Sequence, residues 1–134
     1  MIRGKLVLST NTAWNIANFR GGLVRALQGD GWEVVAAAPA DEHVPRVQAL
    51  GCRFVELPMD NGKTNPIADL ALRLRYGQLF DEEKPDAFLG FTIKPNVYGS
   101  LAAHRRGIPV VNNIAGLGAT FITRSWLTRV VQFL

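Results

Sequence analysis

The sequence predicts an α/β fold: a Rossmann-like three-layer α/β/α domain around a parallel sheet of five strands in the order 3-2-1-4-5. Two observations lead to this prediction. Short apolar runs alternate along the chain with longer segments of helical periodicity, which is typical of right-handed βαβ units. The fourth apolar run, residues 87–91, lacks alternating polar positions, as a strand buried on both faces of a parallel sheet should.

Length and composition fit one globular domain. The chain has 134 residues, of which 48% are hydrophobic and 19% are charged, and this excludes a disordered tail. The formal net charge of +4 suits a phosphorylated substrate, an anionic membrane face or a nucleic acid. The basic residues are scattered and form no long run, so solvated surface charge is an equally good interpretation.

Several site and targeting classes are excluded by simple counts. Cys52 is the single cysteine, which rules out an intramolecular disulfide, and no Cys or His cluster predicts a metal site. The apolar stretch at the amino terminus is too short for a signal peptide, and no run approaches the roughly 18 apolar residues of a membrane span. We expect a cytoplasmic protein whose membrane contact, if it has any, is peripheral and on the cytoplasmic face of the inner membrane.

The first strand, residues 5–9, leads through a polar stretch into one long helix. Gly29 and Gly31 are expected to end this helix. Gly21 and Gly22 lie inside it, where each glycine costs about 1 kcal/mol relative to alanine. We expect close packing of the helix on the sheet to explain the pair, ahead of close approach of a substrate. The apolar residues at helical spacing are Ile16, Phe19, Leu23 and Leu27.

Three further elements and a long connection follow. Asp41 is expected to be the N-cap of a short helix, which Gly51 closes. Cys52 is expected to be a small core residue at the start of a strand. The predicted ranges are residues 32–38 for the second strand, 42–50 for the helix, 52–57 for the third strand and 58–66 for the polar connection.

The next helix is expected to open at Asn65 and Pro66, which have cap-then-proline character, and to run to about Glu83. Four of its apolar residues form one face, as in an amphipathic helix that packs on a sheet. These residues are Ile67, Leu70, Ala71 and Leu74.

The fourth strand is followed by a helix and a fifth strand. Pro95 fits the first position of that helix, and Gly107 with Pro109 stops it. The fifth strand is predicted over residues 109–114 and ends at the glycine-rich residues 115–118. With the predicted strand order, the loops after strands one, four and five meet at the carboxyl edge, beside the switch point between strands one and four.

Polar residues stand between the fourth strand and its helix. Thr92, Lys94 and Asn96 lie where open α/β sheets bind ligands. The helix N-terminus favours anions, Lys94 offers a cation to a phosphate, and Asn96 can donate and accept hydrogen bonds with sugar hydroxyls. A solvated lysine and a helix-end asparagine are the plain alternative. Placement beside the expected crevice favours the binding roles.

Specific motifs surround these residues. Residues 92–103 read TIKPNVYGSLAA, preceded by KPD at 84–86 and followed by GIPVVNNIAGLG at 107–118. With these motifs the chain resembles, over nearly its whole length, the amino-terminal half of bacterial family 4 glycosyltransferases. The most similar group extends polyprenyl-diphosphate-linked sugars for capsule, O-antigen and glycoprotein synthesis. The resemblance implies the first of the two Rossmann-like domains of the GT-B architecture.

The resemblance also implies binding residues in the first helix. Asn18 and Arg20 belong to an Asn-Phe-Arg motif and are candidates, with Asn15, to bind the sugar or diphosphate of an acceptor. Arg20 is expected near the carboxyl edge if its helix starts near Asn15. The alternative is a surface arginine whose stem covers apolar area.

The end of the fifth strand adds further candidates. Asn113 can hydrogen-bond a sugar, although strand alternation turns one of Asn112 and Asn113 into the domain. Gly116 and Gly118 let backbone N–H groups approach a ligand closely. An ordinary tight turn is the alternative explanation for these two glycines.

Catalytic residues stay unassigned. Many family 4 enzymes carry a histidine after the fifth strand, where this chain has Asn112 and Asn113. His43 and His104 fall outside any motif and are expected on the surface or in packing. The resemblance implies a retaining transferase in which the leaving diphosphate is thought to act as base, so a protein nucleophile is not required.

We therefore expect the acceptor-binding half of a retaining glycosyltransferase of the hexosyltransferase type, active in surface-glycan synthesis. The complete enzyme would move a sugar from a nucleotide sugar to a lipid-diphosphate-linked saccharide. The nucleotide sugar is the donor substrate, held mainly by a second domain that this chain lacks, and no other cofactor is expected. Residues 1–134 form the acceptor-side domain. A helical pattern runs to the last residue, which predicts a domain incomplete at its carboxyl terminus. Because the resemblance assigns the donor to the second domain, this chain alone is expected to be inactive.

Other function classes stay open. A stand-alone nucleotide- or phosphate-binding module is one, although the first strand does not lead into a G-x-G-x-x-G fingerprint. A phospho-receiver domain needs an acidic cluster after strand one, and the sequence has none there. A non-enzymatic interaction module is another, which self-associates through an exposed sheet edge. We expect no nucleic-acid partner.

Overall fold

The computed structural model describes residues 3–60 and 65–113, and within them five parallel strands form one sheet in the order β3-β2-β1-β4-β5. The predicted fold class and strand order are confirmed. β1 is central and pairs with β2 and β4, so that Val7 lies between Val35 and Phe88. The strands are β1 (Gly4–Ser9), β2 (Trp32–Ala38), β3 (Arg53–Glu56), β4 (Ala87–Phe91) and β5 (Val110–Asn113).

Helices cover both faces of this sheet, and their side chains form two separate cores. Leu6 and Leu8 of β1 face one helical layer, while Val7 between them faces the other, because strand side chains alternate. The helical elements are α1 (Ala13–Phe19), α2 (Gly21–Gly29), α3 (Val44–Gln48), α4 (Pro66–Glu83), a π-helical segment (Pro95–Gly99) and α5 (Ser100–Arg105).

Three aromatic rings fill the core beneath α4 and α5. Tyr76 and Phe80 of α4 pack against Phe88 of β4, with ring centroids 5.2 Å apart for Phe80 and Phe88 and 5.8 Å apart for Tyr76 and Phe88. Phe88 is 0% exposed. These contacts fix α4 on the sheet, since edge-to-face aromatic pairs add to the free energy of burying their area.

The first helix differs from the prediction. It is two helices, which break at Arg20, where the backbone has φ −114° and ψ 1°. Gly21 and Gly22 therefore lie at the start of α2, not inside a helix. A glycine costs less stability at a helix start than in a helix interior. Close packing does not explain the pair: a Cβ on Gly22 meets no heavy atom within 4 Å, and one on Gly21 makes only ordinary contact with Leu50.

The starts of α3 and β3 also differ from the prediction. α3 is Val44–Gln48, shorter than predicted, and its N-cap is His43 instead of Asp41. Asp41 stabilises the preceding turn, because its carboxylate accepts hydrogen bonds from the backbone N–H of His43 at 2.7 Å and of Trp14 at 2.9 Å. Cys52 is buried, as predicted, but lies just before β3.

α4 has its predicted start and end but not the predicted buried face. Asn65 caps the helix by accepting hydrogen bonds from the N–H groups of Ile67 and Ala68. The apolar face predicted from periodicity points to solvent, with Ile67 82%, Leu70 57% and Leu74 65% exposed. A second apolar set of the same helix is buried, namely Leu72, Tyr76, Leu79 and Phe80.

Candidate functional site

The candidate site lies at the carboxyl ends of β1 and β4, which are neighbours in the sheet. Ser9, the last residue of β1, is in register with Gly90 of β4. The connections leaving these two strands run to opposite faces of the sheet, which is the topology at which open α/β sheets bind their ligands. The switch point of the strand order therefore lies between β1 and β4, as predicted.

Thr92, directly after β4, has a strained backbone. Its φ is 68°, in the left-handed region, which a β-branched residue rarely adopts. Its hydroxyl oxygen is buried and has no hydrogen-bond partner among the described residues. Backbone strain and an unpaired buried polar group are both costly, and such features cluster at functional sites.

Asn96 adds a second unpaired oxygen to the site. Its side chain is 5% exposed, and its Nδ2 donates a hydrogen bond to the carbonyl oxygen of Asn113 at 2.8 Å. Its Oδ1 is buried without a partner among the described residues. Gly90 makes room for this amide, since a Cβ there would lie 2.6 Å from Oδ1. Asn96 belongs to the π-helical segment, a structure frequent at functional sites.

Arg20 brings a cation to the same end of β4. Its guanidinium carbon lies 4.1 Å from the ring centre of Phe91, the residue before Thr92. Nε donates a hydrogen bond to Oδ1 of Asn15 at 3.2 Å. Burial lowers the pKa of Arg20 from its ordinary value, but an arginine keeps its charge in proteins. The predicted position of Arg20 near the crevice agrees with this placement.

The start of α2 lies beside Arg20. Arg20 is the N-cap residue of α2, and its side chain makes no capping hydrogen bond. The first N–H groups of α2 therefore receive no capping hydrogen bond from the Arg20 side chain. The space beside Gly22 is open, because a Cβ there would meet no heavy atom within 4 Å. A guanidinium next to the positive end of a helix favours a bound anion.

Lys94 contacts α4. Its ammonium group is 3.0 Å from Oδ1 of Asp69 and also donates to the carbonyl of Asp60. Tyr98 donates its hydroxyl to Oδ2 of the same Asp69 at 3.0 Å. The Lys94 side chain is only 15% exposed. Its charge is thus balanced within the protein, and a phosphate would have to compete with Asp69, so the phosphate role of Lys94 stays a prediction.

This network should make stability depend on pH. The hydrogen bond from Lys94, with a further one from Tyr98, lowers the pKa of Asp69. A lowered pKa means that the carboxylate stabilises the fold above its unfolded-state pKa of about 3.9, and that this contribution disappears as the pH falls through the folded-state pKa. We expect the urea midpoint of the wild type to exceed that of Asp69→Asn near neutral pH and to approach it in acid. A gap that is constant with pH would contradict this.

The other predicted site residues have different surroundings. Asn18 is turned towards α3: its Nδ2 donates to the carbonyl of Trp14 at 2.9 Å, and its Oδ1 accepts from Arg46 at 3.3 Å. Asn113 ends β5, is exposed, and holds Asn96 through its backbone carbonyl. Gly116 and Gly118 lie outside the described residues, and so does the predicted helix at the end of the chain.

Sequence reasoning missed two features of this edge. Phe91 supplies the ring beneath Arg20, and Asp69 binds both Lys94 and Tyr98. Asp69 stands in the first turn of α4, where an acidic residue is usual for helix stability, so its position carried no distinct signal.

In the described part of the chain, no group of three or more His, Cys, Asp or Glu residues could hold a metal ion. Within the same residues, no helix has the length and apolar character that crossing a bilayer requires.

Comparison with known protein families decides the family. Residues 16–134 match the family described as Glycosyl transferase 4-like domain, which is most of the chain. The chain belongs to this family. The resemblance to family 4 glycosyltransferases that its motifs predicted is thereby confirmed, and we refer to it below as a glycosyl transferase 4-like domain.

Individual relatives of this glycosyl transferase 4-like domain are distant. It is 25% identical over 120 residues to the N,N'-diacetylbacillosaminyl-diphospho-undecaprenol alpha-1,3-N-acetylgalactosaminyltransferase of Campylobacter jejuni. The match covers 89% of this chain and 32% of the Campylobacter protein. The chain thus spans about a third of the length of this curated relative.

Solved structures share the fold. MurG from Acinetobacter baumannii superposes with a TM-score of 0.64 and 22% identity, covering 90% of this chain and 38% of MurG. A UDP-GlcNAc 2-epimerase from Neisseria meningitidis, bound to UDP-GlcNAc, gives a TM-score of 0.65 at 16% identity, covering 94% of this chain and 38% of the epimerase. At such identities the likeness shows the fold of a glycosyl transferase 4-like domain, not its substrates.

Proposed function

We propose that this chain is the acceptor-binding part of a retaining glycosyltransferase that transfers a sugar from a nucleotide sugar to a lipid-diphosphate-linked saccharide in surface-glycan synthesis. Family membership supports sugar transfer as the reaction, and the Campylobacter relative is named for a diphospho-undecaprenol-linked substrate. The retaining course follows the family resemblance. The donor is assigned to a second domain because the relative is about three times as long as the match.

One observation supports the assignment of an acceptor site: two buried oxygens that have no partner among the described residues lie just after β4, and the guanidinium of Arg20 lies over the ring of Phe91, the last residue of that strand. Oδ1 of Asn96 can only accept hydrogen bonds, so it suits the O–H of a sugar. The hydroxyl of Thr92 can donate or accept. A saccharide carries many hydroxyls, and binding one would give both oxygens the partners that they lack among the described residues.

The diphosphate is assigned to Arg20. This guanidinium donates one N–H to Asn15 and stacks on Phe91. It lies beside the start of α2, where the space next to Gly22 is open. A planar guanidinium binds phosphate oxygens through two parallel hydrogen bonds, and stacking on Phe91 holds it in place. Lys94 is a weaker candidate because Asp69 balances its charge. In this proposal the acceptor saccharide contacts Asn96 and Thr92, and its diphosphate contacts Arg20.

Replacing Arg20 should weaken acceptor binding. The probe is a short-chain polyprenyl-diphosphate N-acetylglucosamine, titrated into the chain by calorimetry or NMR. We expect Arg20→Gln to raise Kd about tenfold, because a hydrogen bond to a charged group contributes about 1.5–3 kcal/mol. The chain by itself is expected to bind this probe without transferring sugar to it.

The matched control for Arg20 is Arg25→Gln. Arg25 is exposed on α2, about one and a half turns after Arg20. Its substitution removes the same charge at a position that does not touch β4. We expect it to leave Kd within about twofold of the wild type. An equal loss in both variants would mean that only net charge matters. Binding of UDP-GlcNAc with no binding of the lipid-diphosphate probe would favour a nucleotide-binding module instead.

A further inference from the structure

The candidate site holds a lysine whose charge is already paired. Lys94 lies two residues after Thr92 and two residues before Asn96. Its Nζ is 3.0 Å from Oδ1 of Asp69 on α4, and the two side chains are 15% and 10% exposed. Water therefore screens this ion pair only in part. In the free protein the pair presents little net charge to an incoming anion, although a cation stands at the site.

Two oxygens on either side of Lys94 in the chain indicate that a ligand binds here. Oγ1 of Thr92 and Oδ1 of Asn96 are buried and have no hydrogen-bond partner among the described residues. Buried polar atoms without a partner are uncommon in native proteins, and a bound ion, water or ligand group is one way in which they are satisfied. A ligand that satisfies these two oxygens would be held by residues that flank Lys94.

Asp69 has other stabilising interactions that remain when Lys94 leaves it. Its Oδ2 accepts a hydrogen bond from the Tyr98 hydroxyl at 3.0 Å. The carboxylate also stands in the first turn of the 18-residue helix α4, where the partial positive charge of the helix start stabilises an anion. Breaking a buried ion pair is costly mainly because it leaves an uncompensated charge. Releasing Lys94 therefore costs less here than in an isolated buried pair.

Lys94 is suited to a change of partner. An ammonium group is a point charge on a flexible four-carbon stem, and it does not need the fixed planar geometry of a guanidinium. Lys94 also donates to the carbonyl oxygen of Asp60, a neutral acceptor that binds a cation less strongly than an ionised one does. A diphosphate carries more charge than one carboxylate and offers several acceptor oxygens, so it can compete with Asp69.

We propose that Asp69 holds Lys94 in the free protein, and that a diphosphate binding at the candidate site takes the place of Asp69 as its partner. The ion pair stabilises the fold but is lost on binding, so Asp69 lowers the affinity of the site for the anion. That the anion is a diphosphate rests on the proposed function, whereas the exchange of partners at Lys94 does not. The lipid-linked acceptor and the nucleotide sugar both contain a diphosphate, and separate probes distinguish them.

Asp69→Asn should raise the affinity of the chain for inorganic pyrophosphate about tenfold, measured by calorimetry. Asparagine keeps the size of the side chain but not its charge, and tenfold is the lower end for a hydrogen bond between charged groups. A residue that only stabilises the fold would lower the affinity or leave it unchanged. Adding Lys94→Gln should remove the gain. The proposal is overturned if Asp69→Asn binds no more tightly than the wild type, or if the gain persists in Asp69→Asn/Lys94→Gln.

The matched control is Asp81→Asn. Asp81 lies on the same helix, about 18 Å further along its axis, and accepts hydrogen bonds from Arg106 at 2.8 and 3.1 Å. This substitution removes the same charge and breaks the same kind of ion pair away from the site. We expect it to leave the Kd for pyrophosphate within about twofold of the wild type. An equal gain in Asp81→Asn would mean that only net charge matters, and the proposal would be wrong.

NMR of the wild type tests the exchange without any substitution. When pyrophosphate binds, the side-chain carboxyl ¹³C signal of Asp69 should shift, while that of Asp81 should not. A bound ligand that leaves the Asp69 signal in place contradicts the proposal.

The source of the diphosphate follows from two further probes. A gain of Asp69→Asn with polyprenyl-diphosphate N-acetylglucosamine identifies the acceptor, and a gain confined to UDP-GlcNAc identifies the donor. If Asp69→Asn changes nothing but Arg20→Gln still weakens binding of the lipid-linked probe, the exchange at Lys94 is wrong and the proposed function stands. If Asp69→Asn gains affinity for pyrophosphate while no variant binds the lipid-linked probe, the exchange stands and the acceptor assignment is wrong.

Discussion

Gly99→Ala should destabilise the fold by about 1–3 kcal/mol, the range for over-packing a core. Gly99 lies in the π-helical segment with φ −64°, so alanine fits its backbone conformation. The difficulty is space: a Cβ would stand 2.6 Å from Cε2 of Phe88 and against Cζ of the same ring. Tyr76 and Phe80 hold that ring on its other sides, so it cannot move away without disturbing the core.

Urea unfolding measures this effect, with a lower midpoint and an unchanged slope. Gly22→Ala is the matched control, because a Cβ there meets nothing within 4 Å, and we expect a gain of about 0.4–1 kcal/mol from the stiffer unfolded chain. In the double variant Gly99→Ala/Phe88→Leu, the smaller side chain at position 88 should relieve the clash. The losses of unfolding free energy in the two single variants should therefore sum to more than the loss in the double variant. Additive losses would place the cause elsewhere.

The alternation of strands and helices was enough to predict the sheet, since βαβ handedness leaves few topologies. The strand order followed from it, and with the order the edge at which we propose the site. Periodicity did less for α4. The helix carries two apolar sets, one with Leu70 and Leu74 and the other with Leu72 and Tyr76. Spacing alone finds an apolar face but does not decide which of two faces meets the sheet.

The sequence identifies candidate residues for the site but not their contacts. Thr92 and Asn96 were identified because they follow a buried strand. The partners that decide the roles of the cations are remote in sequence: Phe91 is 71 residues from Arg20, and Asp69 is 25 residues from Lys94. No local pattern signals such pairs. Lys94 was therefore expected to be the main anion ligand, whereas the geometry makes Arg20 the better placed cation.

The backbone of Thr92 had no sequence signal at all, since a left-handed residue is normally read from glycine or asparagine. This makes it the most informative position to change. Thr92→Gly should stabilise the protein by about 1–4 kcal/mol. Left-handed geometry costs a non-glycine residue about 1–2 kcal/mol, and a buried hydroxyl with no partner among the described residues costs about 1–3 kcal/mol. The flexibility of glycine offsets about 0.5–1 kcal/mol of this gain.

The same change should weaken binding of the polyprenyl-diphosphate probe by about two- to tenfold, because one hydrogen bond to the saccharide is lost. Thr92→Ala separates the two causes: it removes the hydroxyl but keeps the Cβ, so its affinity should match that of Thr92→Gly while its stability lies between glycine and wild type. Urea midpoints and probe titrations of the three proteins measure both quantities. Stability that rises while affinity falls is the result expected of a residue strained for ligand binding. A less stable Thr92→Gly with unchanged affinity would instead make Thr92 a structural residue of the turn.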